Sequence, residues 1–168
     1  MIYRRGAPDT FDVAALLQDL ERIRHPVVPN DESVVADGDD SLQTQVKLPG
    51  FDHDVGDPTV HQHIFDRNQH SILIMEGLYL LYDQNQWDQI KDYFDYTIFI
   101  QTHSIDTCME RVKERNVCIP GYSVEEIHQR VDMVDRNNAI LIVESSPSRA
   151  HRTISSIASV ESPTASSM

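Results

Sequence analysis

The sequence predicts an α/β fold with a parallel core sheet. Two short, uninterrupted apolar runs, SILIM at residues 71–75 and TIFI at residues 97–100, have the composition of strands buried on both faces. Segments with helical spacing and explicit start signals alternate with them, the pattern of parallel α/β proteins. The 168 residues contain no internal repeat and no linker, and they suffice for a single core.

The elements follow in order. Thr10 or Asp12 can cap a first helix, whose apolar positions are Val13, Leu16, Leu17, Leu20 and Ile23. Pro26 and Pro29 close it. Residues 30–41 (NDESVVADGDDS) are acidic and turn-rich and read as a solvated loop. A strand is expected around residues 44–48, broken by Pro49 and Gly50, and residues 60–64 alternate in strand fashion. SILIM then ends at Glu76 and Gly77. Ser104 caps a helix through about Asn116, with Ile105, Cys108, Met109 and Val112 toward the core. Ser123 and Glu126 form a capping box for a long helix with the stripe Val124, Ile127, Val131, Val134, Asn138 and Leu141. A polar break at residues 145–148 precedes a last strand at 152–157. The folded domain is thus expected over 1–158, with a polar, Ser-rich tail at 159–168.

Charge narrows the function. Twenty-seven acidic residues against 14 basic ones give a net charge of −13, which disfavours nucleic acid and anionic membranes. A local arginine cluster can still hold one small phosphate. Two cysteines, Cys108 and Cys118, make no disulfide framework and suit a reducing, cytoplasmic setting. No apolar run approaches the length of a membrane span, and the first residues have no signal-peptide core.

Several positions have chemistry to offer. Ligands of open α/β sheets gather at the carboxyl ends of strands, where Glu76 can face a magnesium ion or a hydroxyl. Gly77 lets the backbone turn away behind it. Arg111 and Arg115 share a helix face, and their planar forks suit phosphate oxygens; a solvated helix face is the plainer alternative. Asp52 and His53 follow a strand and can accept from, or donate to, a substrate oxygen. Asn138 interrupts an apolar stripe and needs partners, so it is expected to bridge to a loop. His61 and His63 share a strand face but have no third and fourth ligand nearby in sequence. No G-x-S-x-G elbow supports a serine nucleophile.

Five runs occur in a specific order: RRGAPDTFD at 4–12, LPGFDHDVGDP at 48–58, ILIMEGLYLLYDQNQW at 72–87, ERVKERN at 110–116 and QRVDMVDRNNA at 129–139. Together they resemble the P-loop kinases related to uridine kinase, phosphoribulokinase and pantothenate kinase. Within these, the chain is similar to ATP-dependent kinase-like proteins with an Arg-Arg-Gly-Ala-Pro motif. The resemblance covers the chain to about Ile157. It implies a P-loop NTPase-type three-layer sandwich that binds ATP and Mg2+ and phosphorylates a hydroxyl of a nucleoside-, pantothenate- or sugar-like molecule. On that basis Glu76 lies near the metal, while Arg4, Arg5, Asp52, His53 and Tyr79 lie on the substrate side. Arg111 and Arg115 become lid arginines over the ATP phosphates, with catalytic and cofactor-binding roles. Glu76, His53, Arg111 and Arg115 are expected to line one cleft at the carboxyl edge of the sheet. Asn116 stands where many relatives have histidine.

The chain also departs from the pattern. A Walker A loop, G-x-x-x-x-G-K-[ST], cradles phosphates with its amides and reaches the β/γ oxygens with its lysine. The three lysines here, Lys47, Lys91 and Lys113, do not follow a glycine. The family's aspartate base sits upstream of the Arg-Arg motif, in the same first βαβ unit as that loop, and the chain is read as lacking this unit. Two readings follow. One is a small-molecule kinase represented here by an inactive portion; the alternative is a non-catalytic binding or regulatory remnant of such a kinase.

Overall fold

The computed structural model describes residues 4, 6–25, 44–52, 57–119 and 121–156. Arg5, His53, Pro26, Pro29, the acidic 30–41 segment and the 159–168 tail lie outside the described residues. The chain divides into two compact units, residues 12–77 and residues 1–11 with 78–168.

In the 12–77 unit, α1 spans Val13–Arg24. Of the two caps expected, Asp12 is used: its carboxylate accepts from the Ala15 N–H at 2.9 Å. Val13 and Leu20 are buried. The far end of the helix is closed by Arg67, whose guanidinium donates to the carbonyls of Arg22 and, at 2.9 Å, Ile23. Positive charge there satisfies orphan carbonyls and complements the helix dipole. The strands β1 (Gln45–Asp52) and β2 (Asp57–Asp66) pair antiparallel.

Both strands run longer than the sequence suggests, because β1 continues through Pro49 and Gly50 by shifting register between Leu48 and Gly50. Leu48 pairs with His63 and Gly50 with Thr59, so β2 takes up two extra residues there, with His61 at a φ of 56°. Gly50 is needed there because Gln62 covers it: a Cβ at position 50 would lie 2.8 Å from the Gln62 Cβ. Asp66 ends β2 and organises the next turn, accepting from Gln45 Nε2 (3.0 Å), Asn68 N–H (2.9 Å) and Gln69 Nε2 (3.3 Å). These bonds favour the carboxylate and hold it below its usual pKa.

Residues 71–75 correct the sequence reading. They belong to no strand, and Ile72 and Ile74 are 80% and 88% exposed. A strand buried on both faces needs hydrogen-bonded neighbours and two covering layers. Among the described residues no strand pairs with this run.

The second unit contains the parallel pair expected of the fold, β3 (Ile98–Gln101) beside β4 (Arg152–Ser155). Their junction is locked by Thr97 and His151: the Thr97 N–H donates to His151 Nδ1 at 3.0 Å, and the His151 N–H donates to Thr97 Oγ1 at 3.1 Å. A short helix α2 (Trp87–Ile90) buries both its terminal residues. Helix α3 (Ile105–Asn116) starts on the predicted Ser104 cap, which accepts from the Thr107 N–H at 3.0 Å, and it buries Met109.

The long helix opens with the predicted Ser123–Glu126 capping box as α4 (Val124–Arg130). It widens into a π-turn over Val131–Asp135 and resumes as α5 (Arg136–Ser145). Ile127, Val131, Val134 and Asn138 are buried as expected, but Ile142 rather than Leu141 is the next buried position and Val124 is exposed. Lys113 on α3 bridges Glu110 (3.2 Å) and Asp132 (3.0 Å), and Arg136 reaches Asp106 at 2.6 Å. These exposed pairs set the register of α3 against the π-turn more than they add stability.

Candidate functional site

The turn at Gly6, Ala7 and Pro8 is held by side chains from several parts of the 1–11/78–168 unit. Gly6 takes a φ of 100°, a conformation that L side chains rarely adopt. Pro8 then starts a single 3₁₀ turn, Pro8–Thr10. Three successive carbonyls of this turn are engaged. Gly6 accepts from the Tyr79 hydroxyl at 2.7 Å and from Asn138 Nδ2 at 3.2 Å. Ala7 accepts from the Thr10 hydroxyl at 2.7 Å, and Pro8 accepts from the Trp87 indole at 3.3 Å. Asn138 therefore makes the bridge to a loop that its place in an apolar stripe demanded.

Aromatic rings complete the support. Tyr79 and Trp87 are buried with centroids 5.3 Å apart, and Phe11 meets both edge-on at 5.8 and 5.9 Å. Burial of the Tyr79 phenol, with the Asp135 charge second, pushes its pKa far up, so it is a hydrogen-bond donor at any ordinary pH. Tyr79 touches the backbone of the Arg4 turn through this donation. Arg4 is itself exposed and paired with Asp9 at 2.9 Å.

Asp135 closes the π-turn, three residues before Asn138 on the same helix. It is half-buried, and that burial raises its pKa, while the positive charges of Arg130 and Arg115 pull the other way. Sequence reading gave Asp135 no site role. The signal available was the polar run around Asn138 in an otherwise apolar stripe.

The remaining candidates are placed as follows. Arg111 and Arg115 lie exposed on the last two turns of α3, and Arg115 Nε donates to Asn116 Oδ1 at 3.4 Å. In the 12–77 unit, Asp52 is the last residue of β1 and Glu76 is an exposed carboxylate after the apolar 72–75 run. Glu76 supplies the oxygen donor a hard cation takes, but one carboxylate does not make a metal site. Among the described residues, no group of three acidic, histidine or cysteine side chains surrounds a common point. His61 and His63 are both exposed on β2, and no described helix is long and apolar enough to cross a membrane.

Known structures share this architecture. The chain superposes on a Silicibacter sp. TM1040 protein described as a fructose transport system kinase, with a TM-score of 0.71 and 22% identity over 91% of this chain and 64% of that one. It superposes on Saccharomyces cerevisiae YFH7, described as a P-loop containing kinase with a circular permutation, with a TM-score of 0.69 and 24% identity over 92% of this chain and 50% of the other. The fold is that of the α/β P-loop kinases. Residues 40–162 match the phosphoribulokinase / uridine kinase family, and the chain belongs to that family. The ATP-dependent kinase YFH7 of Kluyveromyces lactis is 33% identical over 92% of this chain and 50% of its own length. The Vanderwaltozyma polyspora protein of the same name is 32% identical over 68% of this chain and 37% of its own length. The chain thus spans about half the length, or less, of these curated relatives.

Proposed function

We propose that this chain forms the acceptor-side and lid-side portion of an ATP-dependent kinase that phosphorylates a hydroxyl of a small nucleoside-, pantothenate- or sugar-like molecule. The observation that carries the reading is family membership over residues 40–162 together with a built Gly-Ala-Pro turn, whose Gly6 carbonyl is held by Tyr79 and Asn138. In this reading Arg111 and Arg115 contact ATP phosphates, where paired guanidinium groups spread the charge of the transferring group. Arg4, Arg5, Asp52, His53 and Tyr79 serve the substrate side, Tyr79 by fixing the turn. Glu76 would offer a carboxylate oxygen to a Mg2+ ion, which would supply charge neutralisation at the phosphates. Bound Mg-ATP supplies the phosphoryl group; the residues named here bind and orient around it. The net charge of −13 argues against a nucleic-acid partner, and the free Cys108 and Cys118 suit a cytoplasmic setting.

The 168-residue chain alone is inactive in this account. It contains no Gly-Lys pair, so no Walker-type loop lies within it to hold the β/γ-phosphates. That same observation favours the second reading, a non-catalytic binding or regulatory remnant. A phosphoryl-transfer assay with Mg-ATP and nucleoside, pantothenate and sugar acceptors separates the two. Acceptor-dependent ADP release, from this chain alone or from a longer product of the same gene, supports the kinase; acceptor binding with no turnover in either supports the remnant.

A further inference from the structure

The turn at Gly6, Ala7 and Pro8 carries two opposite charges on a fixed backbone. Arg4 leads into it, its carbonyl accepting from the Ala7 N–H at 3.1 Å. Asp9 is the central residue of the Pro8–Thr10 3₁₀ turn. Between the two side chains, Arg4 Nη2 donates to Asp9 Oδ1 at 2.9 Å. The backbone that carries them is pinned from within by Thr10, whose Oγ1 accepts from the Gly6 N–H at 3.1 Å and donates to the Ala7 carbonyl at 2.7 Å. It is pinned from outside by Tyr79, Asn138 and Trp87. An exposed ion pair adds little stability, about 0–1 kcal/mol, so the pair is not what holds the turn. The turn instead holds the pair. The two side chains are 67% and 58% exposed, so a small molecule reaches both. Their bond uses one guanidinium donor and one carboxylate oxygen, and both groups have the capacity for further bonds.

We infer that Arg4 and Asp9 act together to select a neutral polyol as the phosphoryl acceptor, bracketing two neighbouring hydroxyls, and that they disfavour an acceptor bearing a carboxylate. A hydroxyl donates and accepts at once. A vicinal diol therefore accepts from the Arg4 guanidinium and donates to the Asp9 carboxylate without parting them. A carboxylate only accepts. To reach Arg4 it must displace Asp9 or lie beside a second negative charge, and the net charge of −13 works in the same direction. The pinned turn sets the donor and acceptor before the acceptor molecule arrives, which lowers the ordering cost of binding. A further hydroxyl of the same molecule is then left for phosphorylation. The inference rests on the proposed substrate-side place of Arg4. It narrows the nucleoside-, pantothenate- and sugar-like acceptors to those with a neutral diol.

The test is a backbone-amide NMR titration of the full 168-residue chain at constant ionic strength, read at Gly6, Ala7, Asp9 and Thr10. The probes are uridine, 2′-deoxyuridine, D-fructose and pantothenate. Uridine and fructose carry neighbouring hydroxyls, 2′-deoxyuridine lacks the ribose pair, and pantothenate carries the carboxylate. The expected result is that a diol probe binds more tightly than pantothenate, with uridine against fructose telling a nucleoside from a free sugar. Uridine should also bind more tightly than 2′-deoxyuridine where the nucleoside is preferred. Asp9→Asn keeps the side-chain shape and removes the charge. It should weaken the preferred diol probe by about three- to ten-fold and tighten pantothenate, while Asp9→Glu restores the parent order. A purely structural aspartate would move both probes in the same direction. If Arg4→Ala weakens binding while Asp9→Asn moves both probes alike, or pantothenate binds the parent as tightly as the diols, the inference is overturned and the place of Arg4 stands. If Arg4→Ala weakens no probe, or no probe shifts these amides, that place fails and the inference fails with it.

Discussion

The phenol of Tyr79 donates to the carbonyl of Gly6 at 2.7 Å across 73 residues of sequence. This bond ties the Gly-Ala-Pro turn to the residues just after Glu76 and Gly77 in the chain. Tyr79→Phe keeps the ring against Trp87 and removes only the donor, so a loss of about 1 kcal/mol is expected in urea unfolding. Asn138→Ala should cost about 1–2 kcal/mol, and the two together more than their sum, because the Gly6 carbonyl then has no side-chain donor. Strict additivity would mean that the carbonyl is served from elsewhere.

Asp66 and Asp135 should give opposite pH slopes. Hydrogen bonds from Gln45 and Asn68 lower the Asp66 pKa, so its contribution is present above the ordinary carboxylate range and is lost as pH falls through the depressed value. Asp66→Asn is expected to lower the melting temperature by several degrees at pH 7 and to differ less from the parent in acid. Circular-dichroism melts from pH 3 to 7 read this directly.

Asp135 is raised by burial, beyond what Arg130 and Arg115 reverse. Its contribution is therefore present below the unfolded carboxylate pKa and lost as pH rises through the raised folded value. Asp135→Asn should accordingly gain on the parent between pH 4 and pH 7, measured by urea midpoints at both. A gap that shrinks over that range would contradict the assignment.

Gly50→Ala tests the β1–β2 irregularity. The added Cβ meets the Gln62 side chain, so Gln62 must leave its hydrogen bond with Thr59 (2.6 Å). A loss of about 1–3 kcal/mol is expected, seen as faster amide exchange along the hairpin. Gln62→Ala in the same chain should relieve most of it.

Much of this was legible in the sequence, and what was not has physical reasons. Ser104, Asp12 and the Ser123–Glu126 box announced helix starts because capping is local chemistry, and the structure uses all three. Asn138 announced a bridge because a polar group in an apolar stripe needs a partner. The β3–β4 pair was expected from residues 97–100 and 152–157, and the parallel pairing holds over four residues of each. Residues 71–75 misled because an apolar run reports the wish to be buried, not the presence of neighbours. Ile100, at 69% exposure on β3, shows the same unmet demand. The π-turn was invisible because one extra residue per turn leaves the buried positions almost in step. Asp135 was given no role with it, since the burial that raises its pKa comes from packing that its own segment does not announce.

Calorimetric titration of the purified chain with Mg-ATP tests the central claim, that these residues present lid arginines without the loop that grips the nucleotide. Positioning and charge stabilisation are the main terms in phosphoryl transfer, and both start from a held β/γ-phosphate. The account predicts no micromolar heat signal and no phosphate transfer to any acceptor. Micromolar binding that disappears in the Arg111→Ala/Arg115→Ala double variant would contradict it, by showing that the two arginines grip ATP without a Walker loop.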